Sequence, residues 1–217
     1  MNKQTTDQLL MIRPSCFYTN EQTATNNYFQ QQTQENQGAT TAKAQQEFDG
    51  FVSELRSHGV AVYVWQDSID PNTPDALFPN NWISFHHDGS VILYPMEAEN
   101  RRTERRRDII DQLSEKNNYL VSKIIDLSHH EKQGRYLEGT GSMILDRENR
   151  IAYCSISKRS NEDLFIEFCE DFEFLPILFN SYQSVDDNRL PIYHLSLIHI
   201  SEPTRPRLIS YAVFCLK

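Results

Sequence analysis

The chain has 217 residues, 39% hydrophobic and 24% charged, with seven Gly, nine Pro and four Cys. That composition fits a folded globular chain long enough to bury a sizeable core, and it excludes fibrous and fully disordered classes. Thirty acidic residues against 21 Lys and Arg leave a net charge of -9, which excludes the basic footprint of a general nucleic-acid binder and would be repelled by anionic membrane surfaces.

Small molecules or proteins are therefore the expected partners, with homo-oligomers allowed. No apolar run approaches the roughly 20 residues that span a bilayer, and Leu9-Leu10-Met11-Ile12 is too short for a secretory signal, so a cytoplasmic location is expected. Cys16, Cys154, Cys169 and Cys215 show no C-x-x-C spacing, which argues against a disulfide framework and a zinc site and for reduced thiols. No cofactor and no metal are expected.

The Gln-, Thr- and Asn-rich stretch Gln30 to Gln46 reads as a solvated loop or a lid. From Ala42 to His58, Ala44, Phe48, Phe51, Val52 and Leu55 share one helical face, and Gly59 ends that helix before the strand Val60 to Val64. Trp82 to Phe85 and Ser90 to Tyr94, joined through His86-His87 and an Asp88-Gly89 turn, read as a hairpin. A helix at about Thr103 to Lys116 leads to a strand at Tyr119 to Leu127. A second hairpin, Gly141 to Ile156, turns at Arg147-Glu148-Asn149. A third helix, Asn161 to Phe172 with Ser160-Asn161 as its cap, leads to the strand Leu175 to Phe179. Ile192-Tyr193-His194 reads as the start of another hairpin. The unit of helix, strand and two antiparallel strands recurs every 50 to 60 residues or so, the range of propeller and solenoid repeats.

The last segment is of a different kind. Leu195 to Arg205 resembles the translation of a sequencing-library adapter, and Ile209 to Leu216 resembles the outer adapter that follows it. On this reading residues 195-217 are a non-native tail, His199 and Cys215 are non-biological, and the native sequence stops near His194.

Polar residues at strand ends are the candidates for chemistry. In Phe78-Pro79-Asn80-Asn81-Trp82, two adjacent amides supply donors and acceptors without charge, suited to a neutral planar group such as urea; the same residues also read as a Pro-Asn turn. Leu137-Glu138-Gly139-Thr140-Gly141-Ser142 sets a carboxylate beside two glycines that permit close approach to a ligand. Arg101 and Arg102, in a basic run at a helix start, and Arg159, at a strand end, are forks suited to a substrate carboxylate. His194, preceded by Tyr193 at the start of a strand, reads either as an acid/base near neutral pH or as a structural histidine. The adjacent pairs His86-His87 and His129-His130 are poor metal ligands.

Met11-Ile12-Arg13-Pro14, Thr23-Ala24-x-Asn26-Asn27, Phe78-Pro79-Asn80-Asn81-Trp82, Glu97 to Arg102, Leu137 to Met143 and Pro191-Ile192-Tyr193-His194 together resemble the amidinotransferase and arginine deiminase superfamily, most closely its bacterial citrulline-hydrolase branch. That resemblance implies an α/β fold, the pentein propeller of five ββαβ modules around a polar site, of which about three are present here. It implies a Cys nucleophile near the C-terminus that attacks a guanidino or ureido carbon, with His194 as acid/base and Glu138 as its partner. Asn81 lies where arginine deiminases have a guanidinium-binding Asp, and Gly141 where their E-G-G-D motif ends in Asp. Losing these carboxylates suits a neutral ureido ligand, since a buried charge facing an uncharged partner is costly. Arg159, in an S-x-R-S pattern shared with dimethylargininases, would bind the substrate carboxylate, with Arg101 or Arg102 as weaker candidates.

The family's nucleophile follows the last matched motif, and none of Cys16, Cys154 and Cys169 sits in such a motif. The parent protein is therefore expected to convert citrulline to ornithine, carbon dioxide and ammonia, and this chain to be inactive and prone to aggregate. Arginine deiminase, dimethylargininase and amidinotransferase activities are the alternatives among enzymes. A ureido- or guanidino-amino-acid binding module is the alternative outside them.

Overall fold

Two copies of one unit, a hairpin whose second strand leads through a helix to a third strand parallel to it, make up the middle of the chain. The computed structural model describes residues 4–24, 27, 36–117, 119–185 and 188–192. In the first copy β3 (Ile83–Phe85) and β4 (Ser90–Leu93) are antiparallel, α3 (Glu99–Arg102) and α4 (Arg107–Asn117) follow, and β5 (Lys123–Asp126) lies parallel to β4. The second copy repeats this: α5 (Gly139–Ser142) enters β6 (Met143–Asp146), β7 (Ile151–Ser155) returns antiparallel, and α6 (Glu162–Asp171) leads to β8 (Leu175–Phe179), parallel to β7.

Ahead of them, β1 (Gln8–Arg13) and β2 (Ala61–Gln66) pair in parallel across α1 (Glu21–Ala24) and α2 (Gln37–Ser57). Behind them, β9 (Tyr182–Val185) and β10 (Asn188–Pro191) form a further hairpin. This is the α/β pattern of ββαβ modules expected from the sequence, with two of them complete among the described residues.

The modules are bound together by apolar faces of helical and strand periodicity. In α6, Leu164, Phe165, Phe168 and Cys169 form one buried face, as spacings of one, four and five residues require. They pack with Ile92 and Tyr94 of the first copy and with Met143, Leu145 and Cys154 of the second in one cluster. Cys154 and Cys169 are fully buried, the small core residues anticipated. Asn161 caps α6, its Oδ1 accepting from Leu164 N at 3.0 Å.

Three expectations change. The stretch expected as a loop up to Gln46 is helical from Gln37, because Asn36 caps it through Gly38 N at 2.8 Å and its Ala and Gln residues favour a solvated helix; residues 30–35 lie outside the described residues. Phe51, assigned to the buried face of α2, is 57% exposed. The strand expected over Tyr119 to Leu127 is reduced to β5. The β9–β10 hairpin, in a polar run without clear alternation, adds an element that the sequence does not predict, and the hairpin expected to start at Ile192 lies, from Tyr193 on, outside the described residues.

Among the described residues β8 pairs with β7 alone. Leu178 packs inward, but Leu175 and Ile177 face outward, Leu175 with 61% of its surface exposed. An open strand edge carrying apolar side chains recruits other chains. Replacing Leu175→Lys is expected to raise the monomer fraction in sedimentation velocity. An unchanged distribution would remove β8 as the source of self-association.

Candidate functional site

Each hairpin has a closed end at its turn and an open end, and the open ends bring two sequence motifs into contact. Pro79 starts a single 3-10 turn over Pro79–Asn81 that delivers buried Asn81 and Trp82 to the mouth of β3. Glu138 precedes the one-turn helix α5 at the mouth of β6. The two turns touch because the glycines between them have no side chains. A Cβ on Gly139, whose φ is +42°, would lie 2.4 Å from the Asn80 carbonyl oxygen, and one on Gly141 would lie 2.5 Å from Asn81 Nδ2. The close approach anticipated for these glycines is thus made to the Asn80-Asn81 turn.

Glu138 is fully buried and its carboxylate collects donors from three segments. Asn81 Nδ2 donates to Oε2 at 3.0 Å, Arg159 Nη1 to the same oxygen at 3.4 Å, and the Glu97 backbone N–H to Oε1 at 3.1 Å. Arg159 is 1% exposed, and its Nη2 donates to the Thr23 carbonyl at 3.2 Å. Backbone bonds fix the same pair: Glu138 N donates to the Arg159 carbonyl at 3.1 Å. Three predicted residues, Glu138, Asn81 and Arg159, therefore meet in one buried centre, with Thr23 of another predicted motif beside them.

The two other arginines stand apart from Glu138. Arg101 donates through Nε and Nη2 to both oxygens of Glu104, each at 2.9 Å, and its Nη2 also reaches the carbonyls of Asp75 and Phe78. Arg102 donates to the carbonyls of Met96 and Glu97 at 3.0 and 3.1 Å. Arg101 thus holds the segment ahead of Asn81, and Arg102 the loop after β4 that carries Glu97. His194 lies outside the described residues.

Sequence reading missed the acids around Arg101. Asp75 accepts from Asn20 Nδ2 at 2.7 Å and from Thr23 Oγ1 at 3.1 Å, and lies 3.8 Å from Arg101 Nε. Asp75 sits in a loop with no periodicity to single it out; Glu104 had a signal, its i,i+3 spacing from Arg101. Burial pushes the Glu104 carboxyl up to about 7, against the pull of Arg101, with Asp75 and Glu138 pushing the same way as burial. Burial works against the Arg101 charge as well, but Glu104 outweighs it and holds Arg101 above the ordinary arginine range. Among the described residues no group of three or more His, Cys, Asp or Glu is placed to hold a metal ion.

A ββαβ repeat with a buried Glu-Asn-Arg centre at the open ends of its hairpins defines a pentein of the amidinotransferase and arginine deiminase superfamily. Residues 13–204 match the family described as N,N dimethylarginine dimethylhydrolase, eukaryotic, and the chain belongs to that family. The fold is similar to the substrate-bound N-terminal domain of ArgZ, a cyanobacterial arginine dihydrolase (17% identity, TM-score 0.59, 87% of this chain and 60% of that one). It is also similar to DDAH from Pseudomonas aeruginosa complexed with citrulline (14%, TM-score 0.55, 83% and 63%) and to AgrE with ornithine and NAD+ (19%, TM-score 0.59, 88% and 25%). The chain thus spans about 60% of the length of the arginine dihydrolase domain. No curated protein sequence matches it.

Removing one member of a buried ion pair strands the other, at a typical cost of about 3–5 kcal/mol. Arg159→Met is expected to lower the unfolding free energy by about that amount, and adding Glu138→Gln to it to recover part of the loss. Urea denaturation of the two single variants and the double variant measures this. A loss below about 1 kcal/mol for Arg159→Met would contradict a buried pair.

Proposed function

We propose that residues 1-194 are the N-terminal part of one pentein catalytic domain, with 195-217 a non-native tail, and that the complete domain hydrolyses a C–N bond of citrulline to give ornithine, carbon dioxide and ammonia. The observation that carries this reading is the partner of Glu138. Its carboxylate is met by the amide of Asn81, a neutral group with one further N–H and a carbonyl to offer a ureido group. A guanidinium would call for a second carboxylate at that place.

In this reading a cysteine thiolate attacks the ureido carbon, and the bond from that carbon to the ornithine nitrogen breaks as His194, oriented by Glu138, protonates the departing amine. Water then hydrolyses the S-carbamoyl cysteine, freeing the thiol and a carbamate that falls apart into carbon dioxide and ammonia. Arg159 moves from the Thr23 carbonyl to the substrate carboxylate, while Arg101 and Arg102 keep the two neighbouring loops, at Asp75 to Phe78 and at Met96-Glu97, in place. The thiol comes from outside residues 1-194. Burial pushes Cys154 and Cys169 up to about 12 and raises Cys16 as well, so none of the three is a ready thiolate. The structural relatives support cysteine chemistry: ArgZ with substrate and DDAH with citrulline are both Cys-to-Ser mutants. The 217-residue chain is accordingly inactive.

The family match supports a second reading, hydrolysis of a methylated arginine. One assay separates the two. The 217-residue chain should release no ornithine, and a form extended to the length of its relatives should turn over citrulline faster than arginine or dimethylarginine. Glu138→Gln and His194→Ala should each lower that rate at least 10²-fold, the usual contribution of an acid/base group. Asn81→Asp should move the preference towards arginine. Preference for dimethylarginine in the unmutated extended protein, or ornithine from the 217-residue chain, would overturn the proposal.

A further inference from the structure

At the closed ends of the same hairpins lies a cleft of about 480 Å³ between the turns at 86–89 and 147–150 and the residues that follow α6. Strands of four residues put it on the order of 13 Å from the Glu138 end. The 147–150 turn is built rigidly. Asp146 accepts from both the backbone and the side chain of Asn149, and Gln4 braces the turn from the other end of the chain by accepting from Arg147 N at 2.8 Å and donating to the Leu145 carbonyl at 2.9 Å.

The cleft brings together three cations, Arg147, Arg150 and Lys123, that form no ion pair among the described residues. Arg147 Nη1 lies 3.0 Å from His86 Nδ1. A guanidinium only donates, so Nδ1 is the acceptor and the imidazole is neutral, with its proton on Nε2 directed to Ser84 Oγ at 2.9 Å. Burial pushes His86 down to about 4, with Arg147 adding to the effect, and burial also lowers Arg147 itself. Among the described residues Arg147 has no carboxylate partner, whereas Arg13, Arg101, Arg105, Arg107 and Arg159 each end on one.

Arg150 is similar: its guanidinium lies 4.2 Å from the Phe174 ring centroid and donates to the Phe172 carbonyl, without an ion pair among the described residues. Lys123, at the start of β5, faces the same cleft. Of the acids there, Asp88 is taken by the backbone and hydroxyl of Ser90, and Asp171 and Glu173 stand exposed. His86 stacks on Phe172 within the cleft, ring centroids 6.2 Å apart and planes at 17°. A half-buried guanidinium without an anion is unfavourable, and two arginine forks with a lysine match the oxygens of a phosphoryl group.

We propose that this cleft is a second ligand site, separate from the Glu138 centre, that binds a phosphoryl anion through Arg147, Arg150 and Lys123. Free phosphate and a small phosphate monoester share that chemistry. Calorimetric titration of the 217-residue protein at constant ionic strength, with inorganic phosphate, glycerol phosphate and succinate in parallel, tests it. Saturable binding of one or both phosphates at least tenfold tighter than succinate is expected. Tighter binding of the monoester than of free phosphate would identify an organic phosphate as the ligand, and the reverse the free ion. Arg147→Met should weaken phosphate binding at least tenfold. Lys123→Gln, at an exposed position, should weaken it several-fold while leaving the far-UV circular dichroism spectrum unchanged. No saturable heat, equal binding of succinate, or unchanged affinity in Lys123→Gln would overturn the site.

Discussion

Burying the Glu138 carboxylate is the constraint on which the rest of the centre depends. A lone carboxylate with no exposed surface would be protonated or would unfold its surroundings. This one is met by an amide, a guanidinium and a backbone N–H from three separate segments. Each donor must arrive within hydrogen-bond distance, so the mouth of β3, the loop after β4 and the segment after β7 are tied together at one point. The glycines at 139 and 141 follow from the same demand, since a side chain at either would push the Asn80-Asn81 turn away.

A second buried network, Arg101 with Glu104 and Asp75, supports the first. Asp75 accepts from Thr23 Oγ1, and the Thr23 carbonyl accepts from Arg159. The short α1 is therefore the joint between the two charge clusters, linking the parallel β1–β2 pair to the ββαβ units. Buried polar networks of this kind fix one arrangement of segments, because every alternative leaves a charge without its partner.

Much of this was legible in the sequence, for identifiable reasons. α6 announces itself by a capping Asn161 and an apolar face at helical spacing, and β7 and β8 by apolar runs bounded by turns. Glu138, Asn81 and Arg159 stand out because polar residues flank apolar strands there. Local signals could not show which arginine reaches Glu138, because Arg101, Arg102 and Arg159 all sit at element ends and only packing sorts them. Phe51 and the first turns of α2 were misread for a related cause: a helix rich in Ala and Gln needs few buried residues, so its hydrophobic pattern says little about its start or its face. Asp75 carries no pattern at all, and its role appears only when Asn20, Thr23 and Arg101 are brought around it.

The Asn81 amide and the Glu138 carboxylate are proposed to form a site for a neutral ureido group. The most direct measurement is a crystal structure of the protein extended to the length of its relatives, with its nucleophilic cysteine replaced by serine and citrulline bound. The ureido group is expected within hydrogen-bond distance of Asn81, with Glu138 bonded to His194 beside it. A citrulline held away from Asn81, or a Glu138 carboxylate still enclosed by Asn81 and Arg159 with the ligand elsewhere, would contradict it.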